Sequence, residues 1–340
     1  MKAVMYYGPK EIRIERVPVP RPGPGEVLLK VGAALTCGTD FKAYRQGHKV
    51  LLRDLPSPFG HELAGTVVSA GEGVEVFPPG TRVVAANSAP CDHCPFCRRG
   101  QPQLCEDLRL HNGAYAEYSL LPARIVRHNL HAIPATMDFR TAAVTEPLAC
   151  AVHAADAVGV LPGDTAAILG AGIMSMLLVS ALKQRGARVI VVGRSPQPLE
   201  RALAVGADFA FSALKGDPVE TVRNLTDGLG ADCAFEAVGR PETWQQSIEM
   251  ARKGGKVCLF GGCAQGTRVP VDAHRVHYSQ LTLFGVFHHT PKYFAQALSM
   301  LSDGRVDARL LVDGEIPLDE VPGYFQRMHE RSNAKVAVIP

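Results

Sequence analysis

Residues 165–182 carry no charge over a stretch nearly long enough to cross a bilayer. Gly170 and Gly172 interrupt it at the middle, so it reads as a buried strand ending at Leu169, a glycine turn, and a buried helix from about Ile173. The same strand–turn–helix rhythm recurs along this half of the chain. From about Ala154, β-branched and aliphatic runs alternate with amphipathic stretches, which predicts βαβ units and an α/β fold with a doubly wound parallel sheet. Strands are expected at 166–169, 188–192, 232–236, 256–260 and 281–286. Helices are expected at 173–184, 198–205, 218–227 and 242–252, each closed by glycine or entered through proline, and another after Pro291 leads to an apolar tail at 334–339. The first 150 residues differ: short strands punctuated by Pro- and Gly-rich turns, such as 18–25 and 58–65, describe a β-rich region. At about 150 residues per domain, 340 residues suffice for two.

The segment Gly170-Ala171-Gly172-Ile173-Met174-Ser175 follows a strand and opens a helix, the context that a dinucleotide fingerprint requires. Ser175 replaces the third glycine, whose role is close helix–strand packing, and a small serine suits it. The second strand of such a fold ends at an acid that bonds the ribose of NAD, but here the residues are Gly193, Arg194 and Ser195. Without the acid a 2′-phosphate is not repelled, and Arg194 adds a cation to pair with it, so NADP is favoured and NAD is the alternative. Ala237-Val238-Gly239, Phe260-Gly261-Gly262 and Gly285-Val286-Phe287 fall at the ends of successive predicted strands, the edge where an open parallel sheet holds its ligand.

Four of the nine cysteines, Cys91, Cys94, Cys97 and Cys105, fall within 15 residues. Four thiolates from one loop describe a closed tetrahedral zinc site, with an iron–sulfur cluster as its rival. Ordinary buried thiols suit poorly a loop that also holds Asp92, Arg98, Arg99 and Gly100, and His93 is expected to be a surface side chain. Clustered cysteines, and an N-terminus without the apolar core of a secretory signal, point to a reducing cytoplasm. The formal charge of +3, with no basic stripe interleaved with aromatics, argues against reading the loop as a nucleic-acid-binding zinc module. Taken singly, Cys37, His61 and Glu146 have ordinary roles as a buried thiol, a loop histidine and a helix N-terminal acid.

The pieces CGTD at 37–40, GHELAGTVVSAG at 60–71, the four-cysteine loop, EPLACAVHA at 146–154 and ILGAGIM at 168–174 stand in the order found in zinc-dependent medium-chain alcohol dehydrogenases. The chain resembles that family over essentially its whole length. Within it, the sorbitol (polyol) and secondary-alcohol dehydrogenases are most similar, because Glu-Pro-Leu accompanies Gly-His-Glu. The resemblance implies a GroES-like β-rich catalytic domain at 1–152, with a structural zinc lobe at about 88–110, completed by 288–340. A Rossmann cofactor domain would occupy 153–287.

The resemblance further implies that Cys37 and His61 are direct ligands of a catalytic zinc, that Glu62 is a ligand or close neighbour, and that Glu146 is the exchangeable fourth ligand. With the four-cysteine site this makes two zinc ions per chain. Thr39 matches a proton-relay hydroxyl and Asp40 an acid near the metal. Lys42 stands where many relatives carry a histidine, as a proton shuttle, an anion site or a surface charge. His288 and His289 match a loop lining the nicotinamide and substrate cleft. Cys150 does not match a ligand position and, with Cys233, Cys258 and Cys263, is assigned to packing.

The implied activity is NAD(P)-linked interconversion of a secondary alcohol or polyol and its ketone, zinc promoting loss of the alcohol proton so that a hydride can leave. A threonine-type amino-alcohol dehydrogenase is an alternative, as is a sugar-alcohol-phosphate dehydrogenase that uses Lys42, Arg45 or His48 for the anion. Tyr44, His48, Phe59 and His288 are the candidate pocket walls. A small-molecule substrate, no membrane or nucleic-acid partner, and a dimer or tetramer of identical chains complete the expectation.

Overall fold

The structure is a computed structural model that describes residues 1–48, 51–52, 54–328 and 335–340. Two units divide the chain: Met1–Ala149 with His289–Pro340, and Cys150–His288. In the first, strand Val27–Leu35 is central, and its run of apolar residues is buried on both faces apart from Lys30 and the half-buried Gly32. It pairs antiparallel with Glu62–Ala70 on one side and Val336–Ile339 on the other, and Tyr118–Leu121 pairs along its first half. Strands Arg82–Ala85 and Leu130–Ala132 extend the sheet beyond Glu62–Ala70, and Gly314–Pro317 extends it beyond Val336–Ile339. The register sets Leu35 opposite both Glu62 and Ala337. Thr36 and Cys37, which follow Leu35, therefore emerge where Glu62 begins its strand and where Lys335 directly precedes Val336–Ile339.

Tyr6, Phe59, Tyr115 and Phe325 form an aromatic core in this unit, with Phe59 centred 5.6 Å from Tyr6, 5.7 Å from Tyr115 and 5.5 Å from Phe325. Phe59 is fully buried and Tyr44 packs edge-on against Phe325 at 5.7 Å. Both are core residues rather than the pocket walls expected of them, because the aromatic cluster draws them inward. Short strands Ser88–Ala89 and Arg109–Leu110 pair beside the cysteine loop.

The second unit is a six-stranded parallel sheet in the order Phe209–Ser212, Arg188–Gly193, Thr165–Leu169, Ala231–Glu236, Ala251–Leu259, Thr282–Gly285. The order reverses between Thr165–Leu169 and Ala231–Glu236, which is where a doubly wound sheet places its ligand crevice. The uncharged stretch 165–182 is a fully buried strand followed by helix Ile173–Lys183. No helix among the described residues is long and apolar enough to cross a membrane.

Three details depart from expectation. Strand Phe209–Ser212 was not anticipated, since this partly exposed four-residue edge strand shows no alternation. The helix expected to reach residue 252 ends at Met250, and strand Ala251–Leu259 takes over with a register shift against Ala231–Glu236 that accommodates Gly254 at φ +72. Helix Pro218–Asn224 stops short of Asp227, which turns left-handed at φ 51. The C-terminal apolar tail is strand Val336–Ile339, and Ala334 lies outside the described residues.

Candidate metal and cofactor sites

Helix Gly38–Gln46 begins at Cys37, whose sulfur accepts the backbone N–H of Thr39 at 3.4 Å in the N-cap position. His61 and Glu62 enter at the start of strand Glu62–Ala70. Gly60 just before them sits at φ +86, and a Cβ there would lie 2.7 Å from the Tyr115 ring, so glycine is required for the chain to pass this close. Tyr115 donates to Asp40 Oδ2 at 2.6 Å, and Asp40 Oδ1 lies 2.7 Å from His61 Nδ1, all three residues being buried. With Nδ1 engaged, Nε2 is the ring nitrogen left for a metal, and the carboxylate orients the ring. Burial pulls the His61 pKa down, but Asp40 and Cys37 overcome it and hold it well above its ordinary value. A cation at Nε2 would take the place of that proton. Ligand atoms of Cys37, His61 and Glu62 all lie within 4.8 Å of one another.

Glu62 is wholly buried and pairs through Oε2 with Lys335 Nζ, which also donates to the Thr36 carbonyl at 3.0 Å. Its other oxygen, Oε1, has no hydrogen-bond partner among the described residues. An unpartnered carboxylate oxygen beside a thiol and an imidazole is a need that a metal ion meets, so this donor set fits zinc. Burial, opposed by Lys335 and reinforced by Glu146, pushes the Glu62 pKa up to about 7. Against burial, Glu62 and Cys37 raise that of Lys335. Glu146 lies in the first turn of helix Thr145–Val158 with Oε1 3.5 Å from His289 Nε2, and His289 Nε2 is 3.2 Å from Asn87 Oδ1. Glu146 is outside the three-residue cluster, although its charge reaches Glu62 and Lys335. Thr39 and Lys42 are exposed on helix Gly38–Gln46. His48 Nδ1 accepts the N–H of Leu51 at 3.0 Å.

The sulfurs of Cys91, Cys94, Cys97 and Cys105 also lie within 4.8 Å of one another. Backbone N–H groups point at three of them: Cys91 to the Cys105 sulfur at 3.2 Å, Cys94 to Cys91 at 3.3 Å, and Cys97 to Cys94 at 3.5 Å. The backbone bond from Cys97 leads the causes that lower the Cys94 pKa to about 6, while burial pushes Cys105 up to about 12. Four sulfurs this close repel one another as thiolates unless a cation sits among them. His93 Nδ1 turns away to the Cys91 carbonyl at 2.7 Å. All nine cysteines are free of disulfides.

In the second unit Gly170, at φ +116, lies so close to the next loop that a Cβ would sit 3.2 Å from the Ala237 carbonyl oxygen. Gly172 caps helix Ile173–Lys183 without a side chain, leaving the first-turn N–H groups around Ile173 and Met174 open to an anion. Ser175 is fully buried, as its packing role requires. A Cβ on Gly193 would lie 2.5 Å from Ala171 Cβ, so the position where an acid was sought is closed to any side chain unless the fingerprint loop moves. Arg194 and Ser195 are exposed, and Ser195 caps helix Pro196–Val205 with no side-chain bond. Ala237 and Val238 follow strand Ala231–Glu236, Gly261 follows Ala251–Leu259, and Gly285 ends Thr282–Gly285. Val286 is half-buried beyond it, Phe287 is exposed, and the carbonyl of His288 faces His153 Nδ1 at 2.7 Å.

Residues 23–134 match the model of the alcohol dehydrogenase GroES-like domain, and residues 174–303 that of the zinc-binding dehydrogenases. Sorbitol dehydrogenase of Bacillus subtilis is 31% identical, the match covering 100% of this chain and 97% of that protein. L-threonine 3-dehydrogenase of Pyrococcus abyssi is 33% identical over 94% of this chain and 89% of its own. A zinc-binding dehydrogenase from Sinorhizobium meliloti 1021, solved bound to NADP, has a TM-score of 0.93 at 33% identity, covering 100% of this chain and 99% of that one.

The chain belongs to the zinc-dependent medium-chain alcohol dehydrogenases. It is an oxidoreductase of the alcohol and polyol dehydrogenase type, built from a GroES-like part and a Rossmann part. Sequence reasoning about this medium-chain dehydrogenase missed Lys335 and Tyr115, which hold Glu62 and Asp40. The one available signal was a lysine opening an otherwise apolar strand, Lys335-Val-Ala-Val-Ile. Nothing local marks Tyr115, because its partner is 75 residues away.

Proposed function

We propose that Cys37, His61 and Glu62 hold the catalytic zinc with Glu146 as an exchangeable fourth ligand, and that Cys91, Cys94, Cys97 and Cys105 hold a second, structural zinc. The observation that carries this reading is the convergence of a half-buried thiol with a buried imidazole and carboxylate, with Asp40 behind the ring and one Glu62 oxygen unpartnered. Zinc in such a donor set supplies Lewis acidity, lowering the pKa of an alcohol and, in reverse, polarising a carbonyl. The protein's own groups do the rest. Asp40 keeps the imidazole tautomer, Lys335 stabilises the Glu62 carboxylate, and the exposed Thr39 hydroxyl is the first acceptor for the substrate proton. Lys42, three residues on, shares Thr39's face of the helix and leads toward solvent.

The substrate we infer is a secondary alcohol or polyol, supported by the sorbitol dehydrogenase relatives. A threonine-type amino-alcohol is the second reading, supported by the threonine dehydrogenases at 33% identity. NADP is the preferred cofactor: the acid position is closed at Gly193, Arg194 is exposed and has no ion pair among the described residues, and the Sinorhizobium meliloti relative is bound to NADP. A homo-oligomer in the cytoplasm is the setting we infer, in keeping with nine free cysteines.

The test is a zinc count together with initial rates on polyols, secondary alcohols, threonine and phosphorylated polyols, with each dinucleotide. Two zinc ions per chain and NADP-linked oxidation of a polyol or secondary alcohol are expected. Preference for threonine selects the second reading, and no NAD(P)-linked oxidation of any substrate defeats both. Arg194→Gln is expected to cut the NADP-over-NAD preference about tenfold through loss of a charge-assisted contact.

A further inference from the structure

The Rossmann sheet carries a fully buried acid that the proposed chemistry does not use. Glu236 is the last residue of strand Ala231–Glu236 and has 0% exposure. Its Oε1 accepts three hydrogen bonds, from the N–H of Val238 at 2.8 Å, the N–H of Gly239 at 2.9 Å and the hydroxyl of Thr243 at 2.7 Å. Its backbone carbonyl accepts from the N–H of Phe260 at 3.0 Å and of Gly261 at 2.7 Å. One residue therefore holds its own loop by the side chain and the neighbouring loop by the main chain.

The turns around it are nested. A Cβ on Gly239 would lie 2.6 Å from the Gly262 carbonyl oxygen, and one on Gly261 would lie 2.5 Å from both Glu236 Oε2 and the Gly239 nitrogen. Gly170 of the fingerprint rests against Ala237 and Val238 in the same way. Helix Pro241–Met250 has no side-chain cap at Arg240, so Glu236 reaches its first turn through Thr243. Trp244, the sole tryptophan, closes the set by donating from Nε1 to the Gly261 carbonyl at 3.0 Å. Burying a carboxylate at the end of an apolar strand is costly, and an aliphatic residue there would leave the Val238 and Gly239 N–H groups without this acceptor.

We propose that Glu236 is a positioning residue for the cofactor, fixing the Ala237–Val238 backbone against the fingerprint turn so that the dinucleotide meets a preformed edge. This rests on the reading that this edge binds NAD(P). Cofactor affinity should therefore depend on Glu236, whereas zinc content should not.

The test is dinucleotide binding to the zinc-loaded enzyme by calorimetry, with emission from Trp244 reporting the order of the edge. Glu236→Ala is expected to raise Kd and the cofactor KM about tenfold, with kcat at saturating cofactor much less changed and the zinc count unaltered. Glu236→Gln keeps an oxygen that can accept all three bonds and should stay within about threefold of the parent. A parental Kd in Glu236→Ala overturns the proposal, whatever happens to its melting point. If that variant does not fold, Thr243→Val decides: a severalfold rise in Kd supports the proposal and no change overturns it. A parent that binds neither dinucleotide overturns the reading of the edge and this proposal with it, a result distinct from a binding parent with indifferent variants.

Discussion

Two of the metal-ligand clusters among the described residues of this dehydrogenase are built by opposite means. The four-cysteine cluster is local: its sulfurs come from residues 91–105, and its backbone N–H groups point at its own sulfurs. The Cys37, His61 and Glu62 cluster is assembled from a helix N-cap and the start of a separate strand, and is held from behind by Asp40, Tyr115 and Lys335. The first closes every position with sulfur. The second leaves a carboxylate oxygen unpartnered and a second carboxylate, Glu146, outside it but within electrostatic reach. A local, saturated cluster suits a structural ion, and a distributed, unsaturated one suits exchange of ligands.

Breaking one ligand in each cluster should separate the two roles most clearly. Cys37→Ser is expected to lower kcat/KM by on the order of a thousandfold and the zinc count from two to one, with the melting point near that of the parent. Cys94→Ser should lose the other ion and melt several degrees lower because metal binding in such a lobe is coupled to its folding. Equal losses of melting point in the two variants would break the comparison.

The distributed cluster should also be the more sensitive to its supports. Lys335→Met leaves Glu62 buried without its partner and should cost about 3–5 kcal/mol in denaturant unfolding. The double variant Glu62→Gln with Lys335→Met should recover much of that loss. If the single variant is as stable as the parent, the ion pair is not holding the site.

Acid should find a different weak point, next to the strand that flanks the cysteine lobe. His111 is buried against the Ser119 hydroxyl at 2.9 Å, and burial, with the nearby charge of Arg109, lowers its pKa to about 4 from an ordinary 6.5. The fold therefore favours the neutral ring. Its contribution is complete above pH 6.5 and drains away as pH falls towards 4, amounting to about 3 kcal/mol. A parent-minus-His111→Asn stability difference that stays flat over pH 4–7 would contradict this. The smallest effect expected is from Asp40→Asn, which should weaken zinc at the Cys37 cluster about 10- to 100-fold in chelator competition while leaving the four-cysteine ion in place.

How much of this was legible in the sequence depends on how local each feature is. The cysteine loop and the strand–glycine–helix fingerprint were readable because their partners are neighbours along the chain. The roles proposed for Cys37, His61, Glu62 and Glu146 came from family resemblance, since spacing alone does not bring Cys37, the His61–Glu62 pair and Glu146 together. Tyr44 and Phe59 were read as pocket walls and lie in the aromatic core, because their environment is set by Tyr6, Tyr115 and Phe325 from distant segments. Strand Phe209–Ser212 escaped notice because its pairing with Arg188–Gly193, rather than its own pattern, makes it a strand.

By itself, then, the sequence determined the α/β alternation, the dinucleotide turn and the four-thiol loop, each written in a local pattern of residues along the chain. Only the tertiary structure decided that Lys335 and Glu62 share one buried ion pair, 273 residues apart, and that Gly193 has no room for an acid. Both are consequences of strand register and loop packing. A buried charge finds its counter-charge, and a glycine its neighbour, only when the sheet that places them has formed.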